Sequence, residues 1–247
     1  MSDWRKNIDA DTARMLIRAA SCQKQLGLES MVLDFANIKK RRAVLAANGS
    51  NPGRKVFRSL ESHYKYMRDC NKCPLSETRT KLVYGDGSPH ADIMFIGEAP
   101  GRDEDLQGVP FVGRAGQLLD KILTAINFSR DDIYIANILK CRPPNNRDPQ
   151  PDEMAACMPH LQTQMKIIKP RLICALGRVA AQALLNTSTP LGKLRKDWHD
   201  YNGIPMLVTY HPAALLRFPS YKRDCWEDVL MLRSRYDEMM SGADHVS

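Results

Sequence analysis

The run Asp92-Ile93-Met94-Phe95-Ile96, ending in Gly97-Glu98-Ala99-Pro100-Gly101, decides the fold. Four consecutive apolar residues without polar alternation mark a strand covered on both faces, as in parallel sheets. Three later runs repeat the character: Ile133-Tyr134-Ile135-Ala136-Asn137-Ile138, Leu172-Ile173-Cys174-Ala175-Leu176 and Pro205-Met206-Leu207-Val208-Thr209. Helical spacing fills the gaps, over Ala115 to Ile126, Asp152 to Ile168 with Asp152 as N-cap, and Arg178 to Leu185; Asp224 to Met240 closes the chain as a further helix. Strand and helix in alternation predict an α/β fold: a three-layer α/β/α domain on a central four-stranded parallel sheet.

Such sheets bind ligands outside the carboxyl ends of their strands. Those ends carry Gly97 to Gly101, Asn137 with Lys140-Cys141-Arg142-Pro143-Pro144, Gly177, and His211-Pro212. Polar side chains converge with turn formers at three of the four, the pattern of an active site.

Working outward, residues 1–65 read as a basic, helical N-terminal extension, and residues 66–247 as the α/β/α domain. Within the extension, Met15, Leu16, Ala19 and Cys22 fall at helical spacing. Lys39-Lys40-Arg41-Arg42 forms a basic run, read either as a solvated face or as a DNA contact. Ala47 to Gly53 is a breaker-rich loop. The 247-residue chain carries a net charge of +8. That balance suits a polyanionic partner bound through phosphates. No apolar run is long enough to span a membrane, and the N-terminus lacks a signal-peptide pattern. A cytoplasmic monomer is expected.

Of seven cysteines, four are arranged as pairs, Cys70-x2-Cys73 and Cys141-x15-Cys157. Four thiolates suit tetrahedral zinc or a [4Fe–4S] cluster. The long second gap does not match a zinc ribbon. Cys174, mid-strand, reads as a small core residue.

Several side chains can do chemistry, and each has a plainer reading. Glu98 follows the first strand, and Glu104 lies in Arg102-Asp103-Glu104-Asp105. Carboxylates there can place water or stabilise a cationic transition state, or form a solvated acidic loop. Phe111 can stack on a flipped base or join the core. Asn137, in an otherwise apolar strand, needs partners when buried. Its amide can match one edge of a pyrimidine or bond nearby backbone. His211 can donate to a leaving group. Leu215-Leu216-Arg217 can wedge a duplex beside a phosphate, or pack its leucines inward.

Together these stretches strongly resemble the type-four, iron–sulfur uracil-DNA glycosylases. The matching text is Gly97-Glu98-Ala99-Pro100-Gly101, Gly108 to Gly116, Asn137-Ile138-Leu139-Lys140-Cys141-Arg142-Pro143-Pro144, Leu176-Gly177, and Thr209 to Arg217, within residues 66 to 240. The resemblance implies a [4Fe–4S] cluster on Cys70, Cys73, Cys141 and Cys157, structural in role. Gly97, Phe111, Asn137 and His211 form the uracil-binding set. Glu98, Glu104 and His211 form the catalytic set, the two glutamates shaping the pocket and the water position. Leu215 is the first choice for a DNA wedge, Leu216 the second, with Arg217 beside them. The implied activity is hydrolysis of the bond between uracil and deoxyribose in single- or double-stranded DNA.

Two departures bear on this. Ala213 stands where a serine is common, removing a hydroxyl that can reach a phosphate. The short Pro143 to Pro151 segment lacks the basic, histidine-bearing insertion of the branch trapped on its product, which favours turnover. The alternative class is a catalytically weak or product-trapping DNA-binding protein on the same scaffold. A nucleotide-binding enzyme is disfavoured by the missing G-x-G-x-x-G. Deleting residues 1 to 60 is expected to leave excision intact.

Overall fold

The computed structural model describes residues 55–242. The readings placed on Asp11 to Leu26, on Lys39 to Arg42 and on the 47–53 loop lie outside the described residues.

The described chain opens with α1, Leu60–Met67, capped by Ser59, and the short α2, Leu75–Thr78. There follow β1 (Asp86–Gly87), β2 (Ile93–Gly97), α3 (Arg102–Gln107), α4 (Arg114–Ala125), β3 (Tyr134–Asn137) and α5 (Pro151–Ile168). The second half holds β4 (Leu172–Leu176), α6 (Arg178–Leu185), α7 (Leu191–Leu194), β5 (Trp198–Tyr201), β6 (Ile204–Thr209), α8 (Pro212–Arg217) and α9 (Tyr221–Ser241). Helix α1 runs through residue 65, the division drawn from the sequence.

The sheet order is β1-β3-β2-β4-β6-β5. Its four central strands, β3, β2, β4 and β6, are parallel and are the four apolar runs. Two antiparallel edge strands widen the sheet to six. The four-stranded expectation missed them for a physical reason. β1 is two residues long, and β5 reads Trp-His-Asp-Tyr, a mixed edge with no continuous apolar run.

Alternation along the strands makes the three layers. Met94, Ile96, Ala136, Ile173, Ala175 and Val208 pack on one face against Leu161 and Met165 of α5 and Ala180 and Leu184 of α6. Ile93, Phe95, Ile135, Leu172, Cys174 and Leu207 pack on the other against Leu119 and Leu123 of α4 and Val229 and Leu232 of α9. Cys174 is a core residue, fully buried. Asp152 is not the cap of α5. The helix starts a residue earlier because Pro151 suits its first position, so Gln150 is the N-cap and its N–H donates to Glu153 Oε2 at 2.8 Å.

Candidate active site

A cleft of about 330 Å³ opens at the carboxyl ends of the parallel strands. Glu98, Glu104, Phe111, Asn137, His211 and Arg217 line it, so most of the site residues read from sequence meet at one place. Arg147 and Asn146 close its rim. A larger open groove of about 620 Å³ lies between α5 and α6, beside Arg178 and Asp148. Among the described residues no buried unpartnered polar atom lines it, whereas Asn137 Oδ1 lies at the smaller cleft.

Asn137, at the end of β3, is buried, and its Oδ1 has no hydrogen-bond partner among the described residues. An orphaned buried acceptor is costly unless a ligand completes it. Gly97, its register partner on β2, leaves the needed space: a Cβ there would overlap Asn137 Oδ1 and lie 2.7 Å from the Phe111 ring. Phe111 is buried, with φ at +54°. Its ring lies 5.4 Å from that of His211, tilted by 31°. Amide, aromatic ring and imidazole therefore meet at one cleft.

His211 caps α8. Its Nδ1 accepts from the Ala213 N–H at 3.2 Å, which leaves Nε2 as the protonated nitrogen of the neutral ring. Burial pulls its pKa down to about 4, against the opposing pull of Glu104, so the ring is neutral at physiological pH. Gly177 makes room behind it. At φ +91° it adopts a conformation that suits glycine, and a Cβ would come within 2.9 Å of the His211 Cβ.

The two glutamates differ. Glu104 spends its carboxylate on backbone: Oε1 accepts from Val112 and Gly113 N–H, both at 2.9 Å, and Oε2 from Gly101 N–H at 3.1 Å. It ties the turn after β2 to the Phe111 loop. Glu98 is half-buried with a pKa raised to about 7, chiefly by burial, with Asp148 adding and Arg178 opposing. A carboxyl near 7 can exchange a proton with water at working pH.

Along α8 the structure corrects the wedge. Leu215 is 1 % exposed and packs in the core with Cys225, Val229 and Leu232. A six-residue amphipathic helix can present only one of two adjacent leucines outward, and that is Leu216, 40 % exposed. Arg217 is exposed beside it, and Phe218, which sequence reading passed over, is more exposed still. Arg130 was also missed. It donates from Nη1 to Pro110 O at 3.0 Å and from Nη2 to Phe111 O, and is itself held by Asp120 at 2.7 Å. This fork clamps Phe111 in its left-handed backbone state. Arg130 opens the turn that leads into β3 and does not follow the carboxyl end of a strand, so no positional signal marked it.

Cys70, Cys73, Cys141 and Cys157 line a second, smaller cavity. All four thiols are free. Arg79 Nη1 donates to Cys141 Sγ at 3.3 Å, and His160 Nε2 lies 3.8 Å from Cys70 Sγ. Lys140 joins this cavity fully buried, with its Nζ unpartnered among the described residues. Four soft thiolate donors beside an unpaired buried cation fit an anionic, thiolate-held group. No three His, Cys, Asp or Glu side chains among the described residues close on the geometry of a single metal ion.

The Uracil DNA glycosylase superfamily matches residues 84–230. The chain belongs to this superfamily. The cleft residues and the carboxyl ends of the four parallel strands all fall inside the match. A type-4 uracil-DNA glycosylase of Archaeoglobus fulgidus is 43% identical over 178 residues, covering 69% of this chain and 89% of the relative. Another, from Pyrobaculum aerophilum, is 40% identical over 183 residues, covering 70% and 92%. A third, from Saccharolobus solfataricus, is 45% identical over 171 residues, covering 66% and 79%. No helix among the described residues is long and apolar enough to cross a membrane.

Proposed function

We infer that the chain is a uracil-DNA glycosylase of the type-4 kind. It hydrolyses the N-glycosidic bond of uracil in DNA, giving free uracil and an abasic site for base excision repair. The observation that carries this reading is the orphaned, buried Oδ1 of Asn137 at the floor of a cleft shared with Phe111 and His211.

In the proposed reaction a flipped uracil stacks on Phe111. Its N3–H donates to Asn137 Oδ1, and the amide N–H donates back to O4. Cytosine presents an acceptor at N3 and a donor amine at C4, so both contacts fail. As the glycosidic bond breaks, charge grows on the departing base. His211, whose protonated nitrogen is Nε2, donates to its O2 and stabilises the anion without giving up its proton. The sugar carbon becomes oxocarbenium-like. Water adds to it, the water's proton passing to Glu98 and on to solvent, while the uracil anion takes up a proton from solvent on release. Glu104 holds the turn that carries Glu98 and Phe111. Leu216 enters the duplex where the base leaves, and Arg217 meets a phosphate.

Cys70, Cys73, Cys141 and Cys157 would hold a [4Fe–4S] cluster. When bound, it supplies a structural cross-link and no step of the hydrolysis. The enzyme is read as monomeric, cytoplasmic and turning over, since the Pro143–Pro151 segment has no histidine to attack the sugar.

The test is cleavage of a labelled oligonucleotide carrying one uracil, beside a thymine control, with alkali to break abasic sites. Uracil-dependent cleavage that Asn137→Ala abolishes is expected. No cleavage by folded, iron-loaded protein would leave a damage-binding module instead, and a slow-migrating protein–DNA band would indicate trapping.

A further inference from the structure

Lys140 is the one fully buried lysine among the described residues, and its Nζ has no hydrogen-bond partner there. Burying an unpaired ammonium carries a heavy desolvation penalty, so such groups are paired or bind an anion. The Lys140 backbone is held on both sides. The Lys140 N–H donates to the Cys157 sulfur, and its carbonyl accepts from Val83 N–H at 2.9 Å. The cavity it enters is the one lined by the four paired cysteines. Two other cations line it: Arg79, already engaged by Cys141 Sγ and by the Arg68 carbonyl at 3.1 Å, and Lys72, which is exposed to solvent with its ammonium 5.8 Å from the Tyr66 ring centre. Lys140 is thus the buried cation there left without a hydrogen-bond partner among the described residues.

Four thiolates on a four-iron core leave a net negative charge, the complement of a buried ammonium. We propose that Lys140 is a non-covalent partner of that cluster: its ammonium donates to the cluster's sulfur atoms and balances their charge. This rests on the cluster reading above. Lys140 acts through retention and potential of the cluster, as a positioning residue rather than a catalytic one. A nearby positive charge favours the more negative, reduced form, so it also raises the reduction potential.

The test compares full-length wild type with Lys140→Met, a variant of similar length and no charge, both purified anaerobically. Iron and sulfide content, iron release to a chelator and the reduction potential are measured. The variant should release iron roughly 10- to 100-fold faster and show a more negative potential. Equal rates and equal potentials, with iron present in both, would overturn the role of Lys140 alone. Wild type without iron or sulfide would overturn the cluster reading, and this inference with it. Should Lys140→Met fail to fold, Lys140→Gln decides, since it keeps a donor without the charge. Fast release from that variant supports the charge role, and wild-type retention overturns it.

Discussion

Asn137 and Lys140 lie three residues apart on one segment, yet they end in two different sites. Each is buried with one polar atom unpartnered, an acceptor on Asn137 and a cation on Lys140. The base cleft is built by the scaffold: strand ends, a glycine at Gly97 and backbone ties from Glu104 place its groups before any ligand arrives. The cysteine cavity is built from a helix end, a loop and α5, and leaves a buried charge unanswered. On the proposed reading, one site needs a guest to act and the other needs a guest to stand. The segment between them couples the two. Ile138 and Leu139 donate their N–H groups to the carbonyls of Gly97 and Glu98, at 2.9 and 3.0 Å. The loop that ends in Cys141 is therefore hydrogen-bonded to the turn that carries Glu98.

The harshest way to break this comparison is Cys141→Ser. If Cys141 is a cluster ligand as proposed, its loss should abolish iron loading, and metal binding to such a site is folding free energy. Loss of iron, of the melting transition and of excision together is the expected result, read by iron assay, thermal melting and oligonucleotide cleavage. Full excision by an iron-free variant would show that the cleft stands without its neighbour.

His211→Ala should separate the sites in the other direction. Loss of a donor to the developing anion costs roughly 10²- to 10³-fold in kcat. Iron content should stay unchanged, since His211 touches only the cleft and the start of α8. A fall in iron would mean that the coupling runs both ways.

Glu98→Gln sharpens the chemistry within the cleft. If Glu98 takes the water's proton, excision rises with pH through about 7, the value set chiefly by its burial. The glutamine variant should lose about 10²-fold, at the low end of general-base effects, and lose that limb. His211, with a pKa near 4, contributes no limb between pH 5 and 9. The stability sign is opposite to that of a salt-bridged carboxylate. A raised folded pKa means the stability contributed is full below the ordinary value of 4.5 and is lost as pH rises through about 7. The melting temperature of wild type should therefore fall relative to Glu98→Gln across that window. A gap that stays constant with pH would refute it.

The parallel sheet was legible because its four strands are continuous apolar runs, and burial on both faces demands that pattern. The edge strands were not, since a two-residue strand and a half-buried edge reading Trp-His-Asp-Tyr carry no such demand. That Asn137 and His211 line the cleft was legible from position, at the ends of strands in a fold that binds ligands there. Which of Leu215 and Leu216 faces out depends on how α8 is rotated against α9, and six residues hold too little periodicity to say. Arg130 and Lys140 act through hydrogen bonds and burial that only tertiary packing creates. Lys140 sat inside a quoted motif, but nothing in a sequence shows that a lysine is buried.

The smallest effect expected is at the N-terminal boundary. Removing residues 1–55 should leave excision at low salt unchanged and weaken DNA binding as salt rises, because basic residues go with it. Extending the cut through residue 60 is different. It removes Phe57, whose ring lies 4.7 Å from that of His63, and Ser59, whose side chain accepts from Ser62 N–H at 3.2 Å to cap α1. Loss of such a cap costs about 1 kcal/mol. His63 in turn lies 3.3 Å from His160, and His160 contacts Cys70. The longer cut should lower the melting temperature by a few degrees, on the order of that energy, and hasten iron release, while excision at low temperature persists. Equal melting and equal iron release from the two truncations would show that α1 is not part of what holds the cysteine site.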